Sequence, residues 1–236
     1  MSSSPSALLS VTYVEPGYRH VVELVHQRDP DARRRLRSLD LAVYEPEGKL
    51  LAELSIDPAE ETLDLAAVTA GPAAGRPRVM AVFDARYDER IFPYRPHHYG
   101  FLHREGSSSA PLYYAVGAVL GGVPQRVDNS RINNFETYVF AGGPFAERHA
   151  VLLGNLARFA PALAQVFAYY GPERVVRDVS LPPKAHTEVT LEPEHGSRRL
   201  ERVEIKGLFR MATYVTGRRA TSGDLVLFDH LFTFFR

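Results

Sequence analysis

Cysteine and tryptophan are both absent from this chain of 236 residues. Without cysteine there is no disulfide framework, no thiolate metal site and no cysteine nucleophile. Charge of one sign is missing too: 28 basic residues balance 28 acidic ones, which argues against general electrostatic binding to nucleic acid. There is no long hydrophobic run. The longest nearly apolar stretch, Ala110 to Val123, is too short and too rich in glycine to span a bilayer. The opening residues, Met1 to Ser10, place no basic residue ahead of their few apolar ones and do not read as a secretory signal. The expectation is a cytoplasmic protein that binds neither nucleic acid nor membrane.

What is present points to β structure. Hydrophobic residues make up 45% of the chain, enough for a substantial core, and 17 Gly, 17 Pro, 12 Tyr and 13 Phe fit a loop-rich β protein better than a helical bundle. One pattern occurs twice. A strand, a turn and a second strand run from Leu41 to Ile56 and again from Val166 to Leu181, so that Tyr44 answers Tyr170, Pro46 answers Pro172 and Ser55 answers Ser180. Two further strings precede each copy in the same order: Thr12-Tyr13-Val14 then Arg19-His20, and Thr137-Tyr138-Val139 then Arg148-His149. An ordered series of three matches points to internal duplication.

In the first repeat, short Val-, Leu-, Tyr- and Phe-rich runs predict strands near 11–14, 20–26, 39–45, 49–56, 62–68, 78–85 and 98–104. Leu39, Leu41 and Val43 alternate with Asp40, Ala42 and Tyr44, giving one face to a core. Glu45-Pro46-Glu47-Gly48 supplies turn chemistry, with Pro pre-setting φ and Gly allowing a positive one. Arg33-Arg34-Arg35-Leu36-Arg37 reads as a solvated hairpin loop. Leu112 to Leu120 reads as a short helix or a strand, and Leu225 to Phe235 as a buried final strand.

Seven strands of this spacing predict an immunoglobulin-like sandwich, in which two sheets bury their inner faces against each other. The stretch from His149 to Leu191, with its alternation, its Tyr169-Tyr170 pair and its Pro182-Pro183 corner, resembles the strand pattern of sensory-rhodopsin transducer proteins and of bacterial immunoglobulin-like modules. The resemblance implies a β-sandwich and carries no function. The expected fold is all-β: two tandem immunoglobulin-like sandwich domains related by duplication, at 1–106 and 136–236, joined by a connector at 107–135.

Two clusters could carry chemistry. His97, His98 and His103 are three imidazoles in seven residues and candidate metal ligands. On a straight strand His97 and His103 share a face roughly 20 Å apart at ~3.3 Å per residue while His98 faces away, so a common ion needs a bend at Pro96 or Gly100. Asp128, Arg131, Asn133, Asn134 and Glu136 could orient a polar small molecule, or could build Asx-type turns between the domains. No glycine-rich phosphate loop and no nucleophile elbow is present.

Without a catalytic signature, the sequence favours a non-catalytic binding or assembly module that recognises a protein partner or small ligand. The alternative is a metal-dependent enzyme or small-molecule-binding protein with a site between the domains. No cofactor is expected, a divalent metal at the histidines being the one candidate. Paired, related domains also raise the prospect of a homo-oligomer.

Overall fold

The computed structural model describes residues 6–24, 30–71, 77–88, 98–104, 106–107, 110–119, 134–140, 148–207 and 211–234. Two compact units divide the chain, Met1–Gly122 and Val123–Arg236. The described residues form twenty strands and two short helices, and the strands pair antiparallel in sandwich-like sheets.

In the first unit the elements run β1 (Ser6–Val14), β2 (Tyr18–Leu24), α1 (Pro30–Arg35), β3 (Leu36–Tyr44), β4 (Leu50–Ile56), β5 (Thr62–Asp64), α2 (Leu65–Thr69), β6 (Val79–Tyr87), β7 (His98–Arg104), β8 (Leu112–Ala115) and β9 (Gly117–Val119). One sheet has the order β4-β3-β6-β1-β9 and the other β5-β2-β7-β8. Strands β1 and β2 are consecutive yet lie in opposite sheets, as do β6 and β7; β1 pairs with β6 and β2 with β7. The chain therefore crosses between the sheets twice at the centre of the unit. Burial follows the two-residue period: Leu39, Leu41 and Val43 on β3 and Val22 and Leu24 on β2 are each at most 1% exposed.

The second unit contains β10 (Asn134–Val139), β11 (Arg148–Gly154), β12 (Ala162–Tyr170), β13 (Glu173–Leu181), β14 (His186–Leu191), β15 (Glu194–His195), β16 (Arg198–Arg199), β17 (Arg202–Gly207), β18 (Ala212–Arg218), β19 (Leu225–His230) and β20 (Phe232–Phe234). Its sheets are β13-β12-β17-β10-β20 and β14-β11-β18-β19, with β15 and β16 forming a separate small hairpin. Strand for strand, both orders repeat those of the first unit. The core gathers Val151 and Leu153 from one sheet and Val166, Ala168, Tyr170, Val203 and Ile205 from the other.

Both units end alike. Strands β8 and β9 are one run of chain that changes sheet at Val116, 2% exposed, whose N–H donates to the His98 carbonyl at 2.9 Å. Strands β19 and β20 change sheet at Leu231, 4% exposed, whose N–H donates to the Thr213 carbonyl at 3.1 Å. Buried side chains and satisfied amides let the chain cross the interior without an orphaned donor.

Several sequence expectations change. Residues 112–119 of the expected connector are strands of the first unit's two sheets. The single final strand expected from Leu225 is two strands in different sheets. Of 62–68, only Thr62–Asp64 is strand; Asp64 then caps α2, its Oδ1 accepting from the Ala67 amide at 3.2 Å, and Ala66 and Ala67 favour the helical turn. The arginine run is not a bare loop: α1 begins at Pro30, and Arg33, Arg34 and Arg35 occupy its last turn, where cations suit the helix dipole.

Strand order also departs from the immunoglobulin arrangement, in which strands C, F and G share a sheet. Here β3 and β6 share one, but β7 lies in the other. The matched strings coincide only partly. His20 and His149 both face inward, the latter beside Phe140 at 4.6 Å between ring centroids. Thr12, however, faces the core whereas in the second copy Tyr138 does, and Tyr170 is 1% exposed in the core while Tyr44 follows a bulge onto the outer face. A one-residue slip turns every side chain to the other face.

Deletion of 225–236 removes a strand from each sheet of the second unit. The expected outcome is loss of that unit's dispersed amide NMR signals with the first unit's retained; a soluble truncated chain with both sets intact would contradict this reading.

Candidate functional site

Of the predicted metal ligands, the two that the structure describes, His98 and His103, do not share a face. His98 and His103 are five residues apart on β7 and so lie on opposite faces: His98 is 2% exposed and its ring sits 5.4 Å from that of Phe83 in the core, whereas half-buried His103 lies on the outer face opposite Arg19. His97, Asp128, Arg131 and Asn133 lie outside the described residues. Asn134 and Glu136 are backbone positions of β10, opposite Gly207 and Ile205. Among the described residues no group of three His, Asp or Glu has the geometry to hold a metal ion.

Inside the first unit a chain of hydrogen bonds joins the two sheets. Tyr114 on β8 pairs with Gly100 across the strands, and its hydroxyl is 2.5 Å from His20 Nε2 on β2 and 2.5 Å from Thr12 Oγ1 on β1. Gly100 leaves the room: a Cβ there would stand 2.1 Å from the Tyr114 ring. Burial drives the His20 pKa down from 6.5 to about 3, against a weaker pull upward from Asp64. The imidazole is therefore neutral. His20 Nδ1 has no hydrogen-bond partner, so the Nε2–H tautomer is favoured, donating to the Tyr114 oxygen while the Tyr114 O–H donates to Thr12; the other tautomer would strand a buried N–H. This chain is a structural tie, sealed from solvent on all sides.

The outer face of the β5-β2-β7-β8 sheet is different in kind. Cross-strand neighbours Phe101 and Tyr113 meet at 4.8 Å between ring centroids, and Tyr99 stacks on Tyr113 at 5.1 Å and 14°. Tyr113 is 56% and Phe101 39% exposed. Val21 lies opposite Phe101 and Glu23 opposite Tyr99. At one side Arg19 Nε donates to Asp64 Oδ2 at 3.4 Å. An apolar aromatic centre bordered by charged side chains is the composition of a recognition surface.

A concave feature lies in the other unit. A cleft of about 450 Å³ opens where β12 begins and β13 and β17 end, lined by Leu163, Ala164, Val179, Ser180 and Lys206 and by Gln165, whose Nε2 donates to Asp178 Oδ1 at 2.9 Å. Sequence reading missed both places. Tyr113 was visible only as part of an irregular connector, because its partners Tyr99 and Phe101 are distant in the chain and only the β7–β8 register brings them together.

No protein-family model matches this chain, and no curated protein is significantly similar to it. Among the described residues no helix is long and apolar enough to cross a membrane.

Two outcomes test the buried tie. Gly100→Ala should destabilise the first unit by about 1–3 kcal/mol through overpacking, read by urea unfolding. His20 has a depressed folded pKa, so its contribution is fully present above pH 6.5 and lost as pH falls toward 3; unfolding free energy should fall across that window, and more shallowly in His20→Gln.

Proposed function

We propose that this protein is a non-catalytic recognition module that binds a protein partner through the outer face of the β5-β2-β7-β8 sheet. The observation that carries the reading is the contiguous Tyr99, Tyr113 and Phe101 cluster standing on a solvent-facing sheet. Aromatic side chains bring large contact area with few rotatable bonds, and they dominate the energetic centres of protein interfaces. Contiguous exposed aromatic surface rimmed by polar residues is a mark of an interaction site. The Arg19–Asp64 pair and Glu23 supply a polar rim that would orient the partner.

The shared strand order supports a further reading, that the two units descend from one duplicated β-sandwich. Duplication would free one copy to change its surfaces while the other kept them, and the aromatic face occurs on the first unit's sheet. The equivalent outer positions of β18 and β19 carry Thr216 and Phe228 in a buried setting. A cytoplasmic setting accords with a chain that has no cysteine to oxidise.

Photocrosslinking from position 113 in the source cell tests the function. The expected result is a discrete crosslinked protein whose yield falls about thirtyfold in Phe101→Ser, the loss typical of an interface aromatic worth about 2 kcal/mol, while thermal unfolding is unchanged. Equal crosslinking by the wild type and Phe101→Ser would reject the face as a binding site.

A further inference from the structure

The edge strand β13 carries a charge on its inner face. Arg177 lies opposite Val166 on β12, and Val175 lies opposite Ala168. Directly paired residues turn their side chains to one face, and Val166 and Ala168 face the core of the second unit. The arginine therefore follows Val175 and precedes Val179 along the row that packs on that core. The matching edge strand of the first unit has no such charge: opposite the core residues Leu39, Leu41 and Val43 it places Ile56, Leu54 and Ala52. The shared strand order does not require the arginine.

Beside it lies a cavity of about 140 Å³, close to the roughly 150 Å³ that admits a benzene ring. Its walls come from both sheets: Val166, Ala168 and Tyr170 on β12, Val175 on β13 and Leu191 on β14. The Tyr170 hydroxyl donates to the Glu192 carbonyl at 2.8 Å, which fixes that ring as a wall. Arg177, Thr190, Glu192 and His195 give the cavity a polar mouth, and His195 Nε2 is 3.8 Å from Glu173 Oε2. The Arg177 guanidinium makes no hydrogen bond among the described residues; its ion pair, from Nη2 to Glu192 Oε1, spans 4.0 Å, with the two side chains 45% and 66% exposed. Such a pair is weak, and the more exposed Glu192 can turn aside into water. The planar fork of donors on Arg177 is thus available to an acceptor, and a carboxylate matches it bidentately. An inward charge on an edge strand also discourages edge-to-edge pairing, but that role needs neither a cavity nor a positive sign.

We propose that this cavity binds a small carboxylate with a compact apolar body of about the size of benzoate, the body entering between the sheets and the carboxylate meeting Arg177 at the mouth. The site belongs to the second unit and is independent of the aromatic face assigned to partner binding.

Titration of the full chain with benzoate, benzyl alcohol and benzylamine, followed by amide NMR, tests it. Benzoate should bind saturably with a Kd of about 1 mM or tighter, shifting the amides of Val166, Ala168, Val175 and Leu191. It should bind about tenfold or more tightly than the neutral and cationic probes. Arg177→Met, at an exposed position, should remove that preference without lowering the unfolding temperature. Arg177→Glu, which keeps a charge on the edge strand, should remove it too. Val175→Phe should fill the cavity and weaken every probe. Absence of saturable shifts up to about 20 mM benzoate, shifts that fall outside the cavity, equal binding of the three probes, or a benzoate preference that survives Arg177→Met overturns the proposal.

Discussion

Each unit depends on the chain passing between its two sheets through the interior, and the last of these passages is made by a single buried residue. Val116 and Leu231 do the same work: an apolar side chain fills the core while the amide hydrogen bonds to a neighbouring strand's carbonyl. The strand before the switch extends one sheet and the strand after it extends the other. A run of only eight or ten residues thereby stitches both layers together, so the final segment of each unit is structural even though it lies at a sheet edge. The central double crossing, β1 with β6 and β2 with β7, fixes which edges remain for it.

With both sheets tied, the faces they turn outward are free to differ. In the first unit the interior admits a polar tie, since Gly100 makes space for Tyr114 and the tyrosine hydroxyl satisfies His20 and Thr12 together. A buried hydrogen-bonded chain of this kind is stable only when its members are matched, and removing one strands the rest. On the opposite side of the same strands Tyr99, Phe101 and Tyr113 collect in the solvent. One strand, β7, therefore serves both roles through its two-residue period: Gly100 and Leu102 inward, Tyr99 and Phe101 outward. The second unit keeps the strand order but puts its exposed apolar groups elsewhere, at Phe159 and at Leu163 beside a cleft.

Much of this was legible in the chain. Alternation at Leu39, Leu41 and Val43 announced a half-buried strand, and Gly48 does sit in a turn with φ +88°. The strand expected over 62–68 gives way to a helix after Asp64, where the cap and the alanines that follow it outweigh the apolar alternation. What the strings Thr12-Tyr13-Val14 and Thr137-Tyr138-Val139 could not reveal was their face: a shift of one residue leaves the letters matched and reverses the side chains.

Composition and periodicity by themselves determined the all-β class, the lack of any cysteine chemistry and the existence of two similar blocks, because these follow from local residue chemistry and a period of two. Tertiary structure alone decided the strand order, the split of the C-terminal run between two sheets and the meeting of Tyr99, Phe101 and Tyr113 on one outer face. Each of those is set by pairing between strands separated in the chain, where register, rather than the identity of any one residue, chooses the neighbours.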